Sequence, residues 1–241
     1  MAFDAETRQK LQIVLAIGLA LAAARAGWIV YERHETLKED AKPRQEATPL
    51  KADYYVTPKK LRPYDLKSAK ELTKQPVWVK VGGQLTYYPY DRVRHKVDFG
   101  RELGTLGPLQ KLEIKDVVMD VSPKAAGTKQ VMAVFEFEGK PCAVPIGAEK
   151  GSEIRIYSDD AFFIEDPHEL YKHWTADMWK AVDAHEVKQG MSELQASFAI
   201  GLGIPLGNGD YGSRTLQYAN GGKPVAITFE NDKAVVIKAG T

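Results

Sequence analysis

From Leu11 to Tyr31 the chain is apolar almost throughout, LQIVLAIGLALAAARAGWIVY, with Gln12 and Arg25 as its polar interruptions. A helix rising about 1.5 Å per residue makes this run about 30 Å long, the thickness of a bilayer core, which predicts a single transmembrane helix. Between Glu32 and Gln75 the pattern is lost: Lys, Glu, Pro and Ala dominate and no period is sustained. That composition cannot bury a core, and a solvated tether is expected over 32–75.

Pro76 opens a different texture. Val77–Val81, Gln84–Pro89, Lys111–Val121, Gln130–Glu138, Pro141–Ile146 and Glu153–Tyr157 are short runs rich in β-branched and aromatic residues, separated by Gly, Pro and Asp. They predict an all-β unit over 76–165. Within Gln130–Glu138, alternation puts Val131, Ala133, Phe135 and Phe137 on one face, and Glu138-Gly139 supplies a tight turn. Asp91–Pro108 is expected as one long loop.

At Asp166 the period changes again. Asp166 as N-cap and Pro167 as first helical residue start a helix to near His185, with Leu170, Trp174, Met178 and Val182 on one face and Trp179 at its edge. Ser192-Glu193-Leu194-Gln195 is a capping-box pattern for a second helix that turns Leu194, Phe198 and Leu202 one way and is expected to stop at Gly203 and Pro205. After the glycine-rich stretch 207–212, Arg214–Ala219, Pro224–Glu230 and Lys233–Ala239 alternate as three strands, with turns at Asn220-Gly221-Gly222 and Asn231-Asp232. The expected fold class is therefore α+β: a transmembrane helix (1–31 with its short tail), a tether (32–75), a small all-β barrel (76–165), and two helices on a three-stranded antiparallel sheet (166–241). Residues 76–241 are expected to fold without the anchor and without metal.

The apolar run also admits a secretory signal ending at Ala24-Arg25-Ala26. Retention is favoured because apolar residues resume at Trp28-Ile29-Val30-Tyr31, where Trp28 and Tyr31 suit an interfacial aromatic belt, and because Asp4 and Glu6 offset Arg8 and Lys10. Arg25 would cost about 2.5–3.5 kcal/mol near mid-membrane. It is read as a contact to lipid phosphate, or alternatively to a carboxylate of another membrane subunit.

Charge and chemistry narrow the function. With 33 basic against 32 acidic residues the chain has no basic field for nucleic acid. Cys142, the single cysteine, sits in a strand-like apolar run as a buried thiol and can form no internal disulfide. The two histidines of His168-Glu169-Leu170-Tyr171-Lys172-His173 are five apart, so on a helix they diverge by about 140°, unlike the zinc motif with its spacing of four. His185 and Glu186 read as solvated groups at a helix end. The glycines of residues 201–207 end a helix instead of joining a strand to one, so they form no phosphate cradle, and no Gly-x-Ser-x-Gly elbow is present. Asp159-Asp160 and Glu165-Asp166 read as capping and solvated acids. No catalytic, cofactor or metal residue is assigned.

Two resemblances add to this reading. The strand spacing of 76–165, with its Tyr87-Tyr88-Pro89-Tyr90-Asp91 and Gly107-Pro108-Leu109 segments, resembles an SH3-like barrel. Val187 to Ser192, then a helix, Leu202-Gly203-Ile204-Pro205, a strand bearing Tyr218, and a strand carrying Phe229 into Asn231-Asp232-Lys233 together resemble the SmpA/OmlA, or BamE-like, domain of outer-membrane-assembly lipoproteins. Gly190, Met191, Ser192, Gly203, Pro205, Tyr218 and Phe229 are its structural motif residues here. Members of that family are lipidated at an amino-terminal cysteine, which this chain lacks.

The combined expectation is a non-enzymatic, membrane-anchored protein-binding module, either an envelope assembly factor or an accessory subunit of a membrane complex. Its bulk would lie in the periplasm of a bacterium, anchored in the inner membrane, with membrane lipid and other envelope proteins as partners. The alternative is a periplasmic cell-wall or peptide-binding module released by signal cleavage.

Overall fold

The computed structural model describes residues 5–40, 51–80, 85–121 and 127–239, and in the first helix the side chains of 16–35. Residues 41–50 of the expected tether, and Val81 and Gln84 at the ends of two expected strands, lie outside the described residues. The chain divides into two compact units, 1–51 and 52–241.

The first unit holds one helix, α1 (Ala5–Asp40). Among the described residues no helix is long and apolar enough to cross a membrane, which overturns the expected transmembrane anchor and, with it, the single-pass inner-membrane placement. The reason lies in the described side chains, 16–35, alone, since Leu11 to Leu15 of the expected span lie outside them. Within 16–35 Ala and Gly are frequent, Arg25 interrupts the apolar residues, and the helix continues past Tyr31 into Glu32, Arg33 and Glu35 instead of ending at an interface.

The second unit begins with a strap, not a tether. Residues 52–55 form a 3₁₀ turn, and α2 (Leu66–Ala69) is opened by a reciprocal capping box between Asp65 and Ser68. A second 3₁₀ turn, residues 70–74, follows. Ala69 and Leu72 are completely buried in the main β core, with Leu61 and Leu66 packed partly against it, which explains why so polar a segment is ordered although Tyr54, Tyr55 and Tyr64 stay exposed.

Ten strands follow: β1 (Val77–Val79), β2 (Thr86–Asp91), β3 (Lys96–Val97), β4 (Gly104–Thr105), β5 (Lys111–Leu112), β6 (Ile114–Val121), β7 (Thr128–Phe137), β8 (Lys140–Lys150), β9 (Glu153–Ile156) and, after the short helix α3 (Ser158–Ala161), β10 (Phe162–Phe163). They are not a barrel of five or six strands. An antiparallel sheet runs in the order β3-β2-β8-β7-β6, with β4 on β2 and β9 on β8, and a separate sheet runs β10-β1-β5. The expected strand Lys111–Val121 is divided at Glu113 between the two sheets.

Strand β7 shows why the larger sheet is stable. Val131, Ala133 and Phe135 pack into the main core, while Met132 and Val134, on the opposite face, are also buried, beneath Tyr90, Val97 and Phe99. The first part of the stretch Asp91–Pro108, through Val97 and Phe99, is therefore a cover for the second face, whereas its Leu106 packs into the main core. Asp120 pins the cover, accepting from the Val97 amide at 2.7 Å and from Lys96 Nζ at 2.9 Å. Burial works against the Asp120 carboxylate, but these hydrogen bonds outweigh it and its pKa is lowered.

The carboxyl-terminal layer contains α4 (Pro167–Leu170), α5 (Ala176–Asp183), α6 (Glu193–Ile200) and a sheet in the order β11 (Gly203–Leu206), β12 (Thr215–Tyr218), β13 (Val225–Glu230), β14 (Lys233–Ala239). Two expectations are corrected. The helix from Asp166 to His185 is broken at residues 171–175, because Thr175 caps a new helix by accepting from the Met178 amide while Trp174 turns inward. The sheet has four strands, because α6 ends at Gly201 (φ 93°), a conformation that suits glycine, and Gly203 and Pro205 lie in β11 instead of terminating the helix. The core of this layer includes Phe163 of β10 and takes partial cover from Trp78 and Leu109, so 76–165 and 166–241 share apolar surface within one compact unit.

Candidate functional site

Of the acidic pairs read as capping and solvated groups, Asp166 caps α4, accepting from the His168 amide, whereas Asp159 and Glu165 hold the strap. Asp159 accepts the Leu61 amide at 3.0 Å and the Arg62 amide at 2.7 Å, and Glu165 accepts the Lys59 amide at 2.9 Å while pairing with Lys59 Nζ. At the start of the strap, Asp53 Oδ1 accepts from Trp174 Nε1 at 2.7 Å and meets His173 Nε2 at 2.5 Å. Trp174 in turn packs on Tyr171, Trp179 and Phe198, with ring centroids 4.8, 5.0 and 5.3 Å away. A sequence signal for this exists only in hindsight: strap amides without partners in a helix or strand, and carboxylates far away along the chain.

His168 and His173 face separate partners. His168 stacks on Trp179 at 4.0 Å and bridges Asp166 through Nδ1 and Asp183 through Nε2. Burial disfavours its imidazolium, but hydrogen bonds to Asp183 and Asp166, and their charges, outweigh that, so its pKa is raised. A raised pKa stabilises the fold fully below the unfolded value of about 6.5 and ceases to do so as pH rises through the folded value. The melting temperature lost in His168→Gln is therefore expected to be larger at about pH 6 than at about pH 8.5. An equal loss at both would show that the imidazolium is not the form the two aspartates hold. Among the described residues no group of three or more His, Cys, Asp or Glu side chains is arranged to hold a metal ion.

The motif residues have structural places. Gly190 (φ 85°) donates to Ala234 O and Met191 O accepts from the Ala234 amide, so this turn closes against the start of β14. Met191 is completely buried, and Ser192 caps α6 in a reciprocal box with Gln195. Gly203 is required by close approach: a Cβ there would lie 2.7 Å from the Tyr218 ring and 2.8 Å from Leu216 Cβ. Pro205 lies in edge strand β11, where a missing amide hydrogen is tolerated. Tyr218 and Phe229 fill the core between α6 and the sheet. On α1, Arg25, Trp28 and Tyr31 are exposed, and Tyr31 donates to Glu35. Cys142 is buried in β8, and burial pushes its thiol pKa up.

One groove among the described residues brings together none of the residues picked out as contacts. This groove, of about 690 Å³, is lined by Thr105–Pro108, by the end of α6 and the start of β11 (Ala199–Leu202 and Ile204), by the turn 219–222, and by His185. Leu106 in its lining is completely buried, whereas Leu202 and Ile204 are 54% and 69% exposed. No Asp, Glu, Lys or Arg lines it. His185, read from sequence as a group serving its own helix end, instead places Nδ1 2.8 Å from Ala199 O near the end of α6. A carbonyl can only accept, so Nδ1 carries the hydrogen. What this arrangement offers is a largely apolar recess with no Asp, Glu, Lys or Arg in its lining and an imidazole edge, a surface for binding. A smaller hollow of about 390 Å³ beside Lys74, Glu113 and Lys115 is polar, and each of these charges has an ionic partner nearby.

No protein-family model, curated protein or solved structure matches the chain.

Proposed function

We propose that residues 52–241 form a protein-binding module that performs no chemistry of its own and serves as an assembly factor or accessory subunit of a multiprotein complex. The observation that carries this reading is the groove: it is roomy enough for partner side chains, has no Asp, Glu, Lys or Arg in its lining, and is bordered by Leu202 and Ile204, two large exposed apolar residues on either side of Gly203. Apolar surface next to a recess is the usual composition of an interface centre, where a few buried anchors carry most of the affinity.

The test uses the full chain, isolated from its native cells under mild conditions. Wild type is expected to co-elute with a discrete protein partner in fixed ratio. Leu202→Asp and Ile204→Asp, at exposed positions, are expected to lose that partner while changing stability by no more than about 0.5 kcal/mol. Recovery of the same complex with both variants, or the absence of any stoichiometric partner of wild type, overturns the proposal.

A further inference from the structure

We propose that residues 53–62, the front of the strap, are a latch: they detach from the second unit as one piece while the rest of that unit stays folded, and Asp159 is the catch. The proposal stands apart from the groove and from the protein-binding reading. The strap has two halves held by different physics. Behind residue 62, Pro63, Ala69 and Leu72 are buried, so lifting that half would empty core sites. From 52 to 62 no residue is buried; Val56 and Leu61 lie only partly under cover, and none of these residues belongs to a strand. A segment with so little buried apolar surface and no strand ladder opens at a lower free energy than the core beside it.

What closes the front half is a set of polar contacts from positions far along the chain. Asp159 is central: Oδ1 takes the Leu61 amide, Oδ2 takes the Arg62 amide, and its carbonyl oxygen accepts from Lys80 Nζ. Glu165 takes the Lys59 amide, and its ion pair with Lys59 Nζ is screened, because that lysine side chain is 76% exposed. Asp53 takes the Trp174 indole hydrogen and meets His173 Nε2. Two features push the other way. Arg62 is held at φ 52° directly before Pro63, a left-handed conformation that a side chain disfavours and that a following proline steers toward extended backbone. Burial, and then the charge of Lys60, push the Lys80 ammonium pKa down, so the closed latch sets one cation against another beside Asp159. Opening relieves both and frees 53–62, about 33–36 Å of extended chain, between the folded body and the residues that precede the strap. Lengthening that link is what the latch controls.

Native-state hydrogen exchange of the full chain tests this at the amides of Lys59, Leu61 and Arg62 and at the indole N–H of Trp174. The indole of Trp179, which donates to Tyr171 O within the body, and the amide of the buried Phe135 in β7 serve as references. After correction for intrinsic rates, the latch signals are expected to share one opening constant, about 100-fold or more above that of the references. They should also depend only weakly on dilute urea, as the exposure of a small area requires. In Asp159→Asn, whichever way the side-chain amide is turned, one strap amide faces an NH2 group in place of an oxygen. The latch signals should then speed up together by about tenfold, including Lys59 and Trp174, whose acceptors are Glu165 and Asp53. Exchange of the latch signals only together with the references, at the same urea slope, overturns the proposal. So do unequal opening constants, which mean separate fraying, and an Asp159→Asn effect confined to Leu61 and Arg62. If the variant does not fold, the urea dependence of wild type still decides.

Discussion

Replacing Leu72 by alanine is expected to lower the stability of the 52–241 unit by about 2–5 kcal/mol, the range for emptying a fully buried leucine site. Leu72 has no exposure and shares the core with Val77, Val117, Phe135 and Phe162, although it belongs to a stretch of chain that is mostly Lys, Glu, Thr and Pro. Starting the chain at residue 76 should do more. It removes Ala69 and Leu72 together, strips Asp159 and Glu165 of the amides they accept, and leaves Asp53 absent from beside Trp174 and His173. Urea unfolding of the full chain, Leu72→Ala and the 76–241 fragment would decide this. A fragment that unfolds at the wild-type midpoint would show that the strap is ordered by the fold without contributing to it. If the strap does contribute, the folding unit starts near residue 52 and not at Pro76.

Glu193→Ala is expected to cost about 3 kcal/mol, at the low end of the range for breaking a buried pair because Arg214 keeps a quarter of its surface in water. The Glu193 side chain is 4% exposed, accepts the Gly212 amide at 2.6 Å, and is held by Arg214 through Nε at 3.1 Å and a terminal nitrogen at 2.7 Å. Glu193 is also the first residue of α6, and its own amide donates to Asp232. Glu193 therefore ties the helix start to the 207–214 loop through its carboxylate and to the β13–β14 turn through its backbone amide, which the substitution leaves in place. Removing the carboxylate strands the Arg214 cation and the Gly212 amide together. The double variant Glu193→Ala with Arg214→Ala should recover part of the loss, so a thermodynamic cycle should show clear coupling; strictly additive losses would mean that the pair is two independent surface groups. Tyr218→Phe makes a useful contrast nearby. The Tyr218 hydroxyl is buried with no protein partner, so its removal should leave the melting temperature unchanged or raised.

Much of the second unit was readable from local pattern. Alternation in Gln130–Glu138, the Glu138-Gly139 turn, the Ser192–Gln195 capping box and the strands around Asn231-Asp232 all occur near where they were expected. These features are set by neighbours a few positions apart, which is the distance over which backbone propensity and side-chain period act. The groove was not readable. Its lining comes from positions near 105, 185, 200 and 220, and none of these stretches has an unusual composition by itself. His185 illustrates the difficulty: from sequence its ring belongs to the end of its own helix, but in the fold it bonds to the end of the next one.

By itself, then, the sequence determined the alternating and helical segments, their turns and caps, the neutral charge that argues against nucleic acid, and the buried character of Cys142 and Met191. Tertiary structure decided what those segments meet. It made residues 91–99 a cover because Val97 and Phe99 bury Met132 and Val134 on the second face of β7. It made a polar stretch into a strap because Leu72 and a few distant carboxylates could capture it. It ended α6 at Gly201 and turned Gly203 to Leu206 into a fourth strand because only glycine at 203 lets that backbone lie over Tyr218. It also withdrew the membrane anchor, since among the described residues no helix is long and apolar enough to cross a membrane, and the side chains described for the first helix, 16–35, include Arg25, Glu32, Arg33 and Glu35. Local periodicity specifies which face of an element is apolar; the choice among surfaces that could cover that face depends on contacts between residues far apart in the chain, which no window of sequence contains.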